Sequence, residues 1–429
     1  MLTLSAFLLL ICSQSPVVEE GSSTWIHCGT LLDVPGTAPR GASTLVLENG
    51  LVREVLQGHV EPPEGATYVD LSSAFVMPGL IDCHTHISME LDVDSRLKRV
   101  EMSDADSTIR GVVYARKTVE AGFTTIRNVG SSGDAVFALR DAIEEGWIPG
   151  PRIQAAGESL SPSGGHSDPT HGYREDLFEL PTAILGIADG PDECRKAVRL
   201  QVKRGADVIK LTATGGVLSA TNAGTGQQFF DDELEAIVTT AHRLGRKVAA
   251  HAHGTDGIKA ALRAGVDSIE HGSFLDEEAV GLFKETGAYL VPTLLAGATV
   301  VEMAQDPDYF PPAVTAKARM VGPVMIGSLG MAHRSGVRIA FGTDSGVSRH
   351  GENWREFPLM VRAGISPMEC LVTATRHAAD LCGLGEVLGT LEPGKIADII
   401  AIDGDPLEDI NAMSQVIWVA RDGRVVHGR

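Results

Sequence analysis

From Phe75 onward, short runs of apolar and β-branched residues alternate with stretches whose apolar positions recur at helical spacing. The strand-like runs are Phe75–Ile81, Thr124–Asn128, Arg152–Ala156, Val208–Leu211, Lys247–His251, Ser268–His271, Tyr289–Pro292 and Arg338–Gly342. Between them, Asp231–Leu244 reads as a helix. Asp231 and Asp232 stand at its positive end and Gly245 follows its last turn. Gly257–Ala264 reads as another. Strands alternating with helices give parallel strands joined by crossovers. Eight such units in about 300 residues predict an α/β fold, a (β/α)8 TIM-type barrel over residues 75–384, with an open doubly wound sheet as the alternative.

The flanks differ in texture. Residues 21–74 and 385–429 carry short alternating runs, Thr44–Leu47, Val52–Val55, Ile399–Ile402 and Val416–Ala420, broken by Gly and Pro turns. Neither flank has enough apolar residues for a core of its own. The two are therefore expected to pair as one composite β-rich module.

Composition narrows the function. With 36 basic against 56 acidic residues the net charge is −20, which disfavours nucleic acid and anionic membrane surfaces as partners. The six cysteines show no C-x-x-C spacing, so neither a thiolate zinc site nor a dense disulfide framework is implied. Leu2–Cys12 is an apolar run followed by Ser13, Gln14 and Ser15. Residues 1–20 are thus expected to be a signal peptide, although no Lys or Arg precedes the run. The expected location is periplasmic or secreted, or cytoplasmic if the segment is not a signal. No later run approaches the ~20 apolar residues of a membrane span, so no membrane contact is expected of the mature form.

The informative residues fall where strands end, which in a barrel is the functional mouth. His84 and His86 follow the first strand two residues apart, a spacing that puts both imidazoles on one side. Lys210 closes the fourth strand, His251 and His253 the fifth, and Glu270-His271-Gly272 the sixth. Asp344 follows the eighth, where a carboxylate can bind metal and accept a proton from water. A buried Lys210 losing its proton could add carbon dioxide, and the resulting carbamate could bridge two cations. Singly, each residue also reads as a turn histidine, a salt-bridge lysine or a capping acid. Jointly they form one ring at one barrel mouth, and imidazoles with carboxylates favour a borderline cation such as zinc.

The order and spacing resemble the amidohydrolase superfamily of metal-dependent barrel hydrolases, over nearly the whole chain. Val76-Met77-Pro78-Gly79-Leu80-Ile81-Asp82 before His84 and His86 is similar to its entry motif, and Leu391-Glu392-Pro393-Gly394-Lys395-Ile396-Ala397-Asp398 to its C-terminal one. Gly164-Gly165-His166, Thr214-Gly215-Gly216 and Ala264–Gly272 resemble its imidazolonepropionase-like and prolidase-like branch. Relatives of that branch hydrolyse dipeptides and N-acyl amino acids, and some cleave ochratoxin A.

The resemblance implies two divalent cations per chain. His84, His86 and Asp344 would bind the deeper one, His251 and His271 the outer one, and carboxylated Lys210 would bridge them, with Asp344 as catalytic base and acid. Either His251 or His253 satisfies the spacing; His251, nearer the strand body, is assigned to metal and His253 to the substrate. His166, Thr214, Gly215 and Gly216 are candidate substrate contacts, the loop through backbone N–H groups. Segments Thr293–Ala298 and His350–Trp354 are expected to be specificity loops. The expected partner is a small amide or dipeptide with a free carboxylate, turned over by a homo-oligomer. Two rivals remain: a mononuclear deaminase or cyclic-amide hydrolase of the same superfamily, and a scaffold that has lost its chemistry.

Overall fold

A computed structural model describes residues 23–219 and 224–428, so the expected signal segment lies outside the described residues. The N-terminal flank forms β1 (Thr24–Leu31), β2 (Ser43–Glu48), β3 (Leu51–Gln57) and β4 (Thr67–Pro78). Eight short strands follow: β5 (Leu80–Thr85), β6 (Phe123–Asn128), β7 (Arg152–Ala155), β8 (Val208–Thr212), β9 (Lys247–Ala252), β10 (Ser268–His271), β11 (Tyr289–Val291) and β12 (Arg338–Ile339). The C-terminal flank adds β13 (Ile399–Ile402), β14 (Val416–Arg421) and β15 (Arg424–His427).

β5 to β7 form one parallel sheet and β8 to β12 another. Backbone hydrogen bonds bridge both seams. At one, Asp207 N–H donates to Ala155 O and Leu160 N–H to Lys210 O, each at 2.8 Å. At the other, Cys83 N–H donates to Phe341 O at 2.9 Å and Asp344 N–H to His84 O at 2.7 Å. The strands therefore make the expected (β/α)8 barrel. Helices such as Pro191–Arg204, Asp231–Arg243 and Thr255–Ala264 bury apolar faces against it. The helix expected from Gly257 starts two residues earlier, at Thr255.

The two flanks share one seven-stranded sheet, ordered β15-β14-β13-β4-β1-β2-β3. Its core joins Ile26, Leu45 and Val76 of the N-terminal flank to Ile399 and Trp418 of the C-terminal one. The pairing of the termini is thus observed.

Two expectations need correction. The run Phe75–Ile81 is not one strand: Phe75 to Pro78 pairs with β13 in the terminal sheet, and the first barrel strand starts at Leu80. Gly79 makes the junction. A Cβ there would lie 2.3 Å from Thr124 Oγ1, so only glycine lets the chain pass from sheet to barrel this closely. The other correction concerns Thr293–Ala298, which is a helix start rather than a loop, Leu294–Met303. The buried Glu356 carboxylate accepts the Leu294 and Leu295 N–H groups at 2.8 and 2.6 Å, ending the search of those orphan donors for partners. The five described cysteines are buried free thiols, and no helix among the described residues is long and apolar enough to cross a membrane.

Barrel and terminal sheet are pinned together by Arg152 on β7, whose guanidinium donates to Asp398 at 2.9 Å and to Asp422 at 2.5 Å. Asp398 is buried, so removing its partner strands a charge. Arg152→Ala is expected to cost roughly 3 kcal/mol, the low end for breaking a buried pair because Arg152 is partly exposed. Urea denaturation checks this, and a loss below 1 kcal/mol, about that of a surface pair, would contradict it.

Candidate active site

Every sequence-predicted ring residue arrives at the same barrel mouth. His84 lies in β5 and His86 just beyond it, Lys210 in β8 and His251 in β9, with His253 one residue past the strand. His271 closes β10, and Asp344 sits in the turn after β12. Ligand atoms of His84, His86 and Asp344 lie within 4.8 Å of one another, and so do those of His251, His253 and His271.

The backbone reaches this arrangement through strain. Alternation along β10, read from the pairing of Glu270 with His251 and of Thr212 with His251, puts Glu270 on the interior face and would turn His271 outward. A left-handed φ of 72° at His271 turns its ring back into the site. Asp344 (φ 59°) and Thr293 (φ 48°) adopt the same sparsely populated region. Non-glycine residues held there cost of order 1 kcal/mol or more each and cluster where function over-determines the backbone.

Hydrogen bonds fix which nitrogen each imidazole presents. His84 Nδ1 donates to Glu270 Oε2 at 2.7 Å, and His86 Nδ1 donates to Gly130 O at 2.8 Å. Their Nε2 lone pairs then face Asp344 Oδ1, at 3.4 and 3.2 Å. Thr293 Oγ1 donates to Pro292 O, so His271 Nδ1 donates to Thr293 Oγ1 at 2.6 Å and keeps its Nε2 lone pair too. Asp344 Oδ1 and His251 Nε2 are buried with no hydrogen-bond partner. Converging lone pairs without a proton between them repel one another. A cation in each group would reverse the sign, which is the sense in which these residues fit divalent metal.

Electrostatics agree with neutral ligands. Burial, with Lys210 adding to it, brings His84 down to about 4. Burial likewise brings His253 to about 4 and His166 to about 3, and holds His251 and His271 well below the ordinary range. Lys210 is buried and is itself lowered to about 8 by desolvation.

His166 and the glycine loop also reach the site. The His166 ring centroid lies 4.3 Å from that of His251 with the planes tilted by 30°, and its Nδ1 lies 2.5 Å from Ser219 Oγ. Thr214 Oγ1 accepts the His253 N–H at 3.0 Å and donates to Gly215 O. A Cβ on Gly216 would fall 2.1 Å from the His166 ring, so this loop lies directly against that imidazole. His253 groups with His251 and His271, and its Nδ1 lies 2.7 Å from Ser273 Oγ.

The supporting shell escaped sequence reasoning. Arg127, fully buried, donates to Glu270 Oε1 at 2.8 Å and to Cys83 O. Burial raises Glu270, but Arg127 and His84 outweigh it and pull the carboxyl to about 2. Asp82 accepts from Thr343 Oγ1 at 2.6 Å, Asn353 Nδ2 at 2.7 Å and the His84 N–H at 3.0 Å, tying the first strand to the Asp344 turn. Asp82 stands two residues before His84, on the same strand face, which is the signal that could have flagged it.

Residues 75–426 match the amidohydrolase family. The chain belongs to that family. An ochratoxinase from Aspergillus niger is 31% identical over 96% of this chain and 88% of its own length. A crystal structure of an Xaa-Pro dipeptidase with methionine bound in its active site superposes with a TM-score of 0.93 at 41% identity, covering 95% of this chain and 100% of that one. A prolidase complexed with N-methylphosphonate-L-proline gives 0.85 at 30% identity, over the same shares. As an amidohydrolase with these relatives, the protein is a hydrolase acting on C–N bonds.

The buried neutral histidines set a pH dependence. His84, His166 and His253 titrate near 6.5 in the unfolded chain but near 4 or below when folded. Across that window the unfolded state binds more protons, so stability falls as pH drops from 6.5, by up to about 1.4 kcal/mol per pH unit for each histidine. Chemical denaturation of metal-stripped protein from about pH 7 to 4.5 should show a steep loss; a flat profile would contradict buried, neutral rings.

Proposed function

We propose that this amidohydrolase cleaves the amide bond of dipeptides or N-acyl amino acids with a free C-terminal carboxylate, aromatic ones such as ochratoxin A included, using two divalent cations, zinc by preference. The observation that carries the reading is the pair of donor groups, each with one buried, unpartnered ligand atom, Asp344 Oδ1 and His251 Nε2. His84, His86 and Asp344 would hold one cation, His251 and His271 the other. The cations supply polarisation of the scissile carbonyl and a lowered pKa for the attacking water.

Lys210, whose charge bears on His84, His251 and His271, would act between the groups. With its pKa near 8, its amine is free far more often than an ordinary lysine's. The nitrogen lone pair adds to dissolved carbon dioxide and one proton leaves to solvent, giving an anionic carbamate whose two oxygens suit a bridging role. Asp344 takes a proton from the attacking water and returns it to the leaving nitrogen as the C–N bond breaks, so the amine departs neutral. His253 and His166 line the approach of the substrate carbonyl and carboxylate.

The relatives support this substrate class. The dipeptidase holds methionine and the prolidase N-methylphosphonate-L-proline, and both molecules are amino-acid compounds that carry a carboxylate. The rival with one metal is disfavoured by the second donor group and by the buried lysine beside it.

Two outcomes test the reading. Lys210→Ala should abolish most turnover and lower the zinc content from about two ions per chain, with partial rescue by short carboxylates that fill the gap. An active variant with unchanged zinc would overturn the bridge. For matched substrates, kcat/KM of the acid should exceed that of its C-terminal amide by roughly 30- to 1,000-fold, as expected when one buried charged hydrogen bond is lost. Equal rates would point instead to ring-opening or deamination substrates.

A further inference from the structure

A buried lysine stands behind the glycine loop. Lys317 projects from the helix Pro312–Arg334, is 7% exposed, and shares the buried helix face with Val314, Ala318 and Val321. Its Nζ donates to Gly216 O at 2.8 Å and to Ser219 O at 2.7 Å. Two carbonyls of one short loop thus turn toward a single ammonium. Because a trans peptide holds its C=O and N–H on opposite sides, the Val217 N–H is directed away from Lys317.

The same loop also borders the site. Gly216 lies so close to His166 that a Cβ would strike three atoms of the ring, and Ser219 Oγ meets His166 Nδ1. The His166 ring in turn lies against that of His251. Lys317 is near enough for its charge to act on both His166 and His253. Val217 and Leu218, between the two anchored carbonyls, pack against an apolar cluster of Ala296, Val300 and Val347. Low dielectric around the loop lets a charge behind it be felt through the backbone.

We propose that Lys317 is a positioning residue for a carboxylate subsite: it orients the Gly216–Val217 peptide with its N–H turned to the His166 side and supplies, through that peptide, the positive potential that receives the substrate's free carboxylate. This rests on the reading that the substrate carries one. Lys317 reaches the loop from behind, through its carbonyls. Its charge acts at one remove, through oriented peptide dipoles, so it biases acids over neutral analogues.

The test uses the zinc-loaded full-length enzyme and three substitutions. Lys317→Met removes charge and donors, Lys317→Gln keeps donors for the carbonyls without the charge, and Lys317→Arg keeps both. For each, kcat/KM is measured with N-benzoyl-L-phenylalanine and its C-terminal amide, and binding of L-methionine and L-methioninamide by calorimetry. The acid-to-amide ratio should fall roughly 10- to 100-fold in the Met and Gln variants and stay near wild type in Arg, with L-methionine binding weakened in parallel. If Gln restores the wild-type ratio, the lysine only staples the loop and the proposal fails. Acid and amide falling together in every variant overturns it in the same way. Should the Met variant not fold, the Gln and Arg pair still decides. A wild-type enzyme without acid preference overturns both this inference and the substrate reading, whereas a wild-type preference that survives Lys317→Gln overturns this inference alone.

Discussion

The carboxylate of Glu270 is the point on which the site depends. From the interior of β10 it accepts from the Arg127 guanidinium of β6 and from the Nδ1 of His84 on β5, joining three strands across the barrel. All three side chains are almost wholly buried. A buried charge pair is weak evidence of net stability, since desolvation consumes most of the attraction, but removing one partner leaves the other stranded at a cost of several kcal/mol. What the pair contributes is direction. It keeps Glu270 ionised, which fixes the His84 tautomer and aims its Nε2 lone pair at Asp344. Asp82 repeats the device one layer away, holding the His84 backbone and the Thr343 turn that carries Asp344.

Much of this mouth is legible in the sequence. Histidines two apart after strand-like runs, a lysine and an aspartate at other strand ends, and the alternation of strands with helices lead directly to one ring in one barrel. Its supports are not legible in the same way. Arg127 and Glu270 are 143 residues apart in the chain, and charged residues of these types read as solvated until their partner is known. Lys317 lies on a helix of mixed character, where a lysine is the ordinary choice for a surface. The junction at Gly79 was hidden for another reason: Phe75 to Ile81 is uniformly apolar because it is buried in two different sheets in succession. Periodicity records burial and carries no mark of which layer does the burying.

The left-handed residues His271, Thr293 and Asp344 join sequence, strain and chemistry. Each sits just past or at the end of a barrel strand, and two of the three, His271 and Asp344, present ligand atoms to the site. The rigid barrel holds these conformations, so donor atoms stay close together although their lone pairs repel. Neutral imidazoles, a lysine with a lowered pKa and a carboxylate with an unpartnered oxygen are what a cation site needs before the cation arrives. The relatives, an ochratoxinase and an Xaa-Pro dipeptidase among them, share this fold closely enough that differences in substrate are expected in the surrounding loops, the 215–219 segment first.

The central claim is that this mouth holds two cations, on two distinct donor sets. Anomalous diffraction at the zinc edge from crystals of zinc-loaded protein tests it most directly. The account predicts two peaks per chain, one about 2.0–2.2 Å from His84, His86 and Asp344, the other at similar distances from His251 and His271, with density extending from Lys210 Nζ between them. A single peak, with His251 and His271 free of metal and Lys210 unmodified, would contradict it.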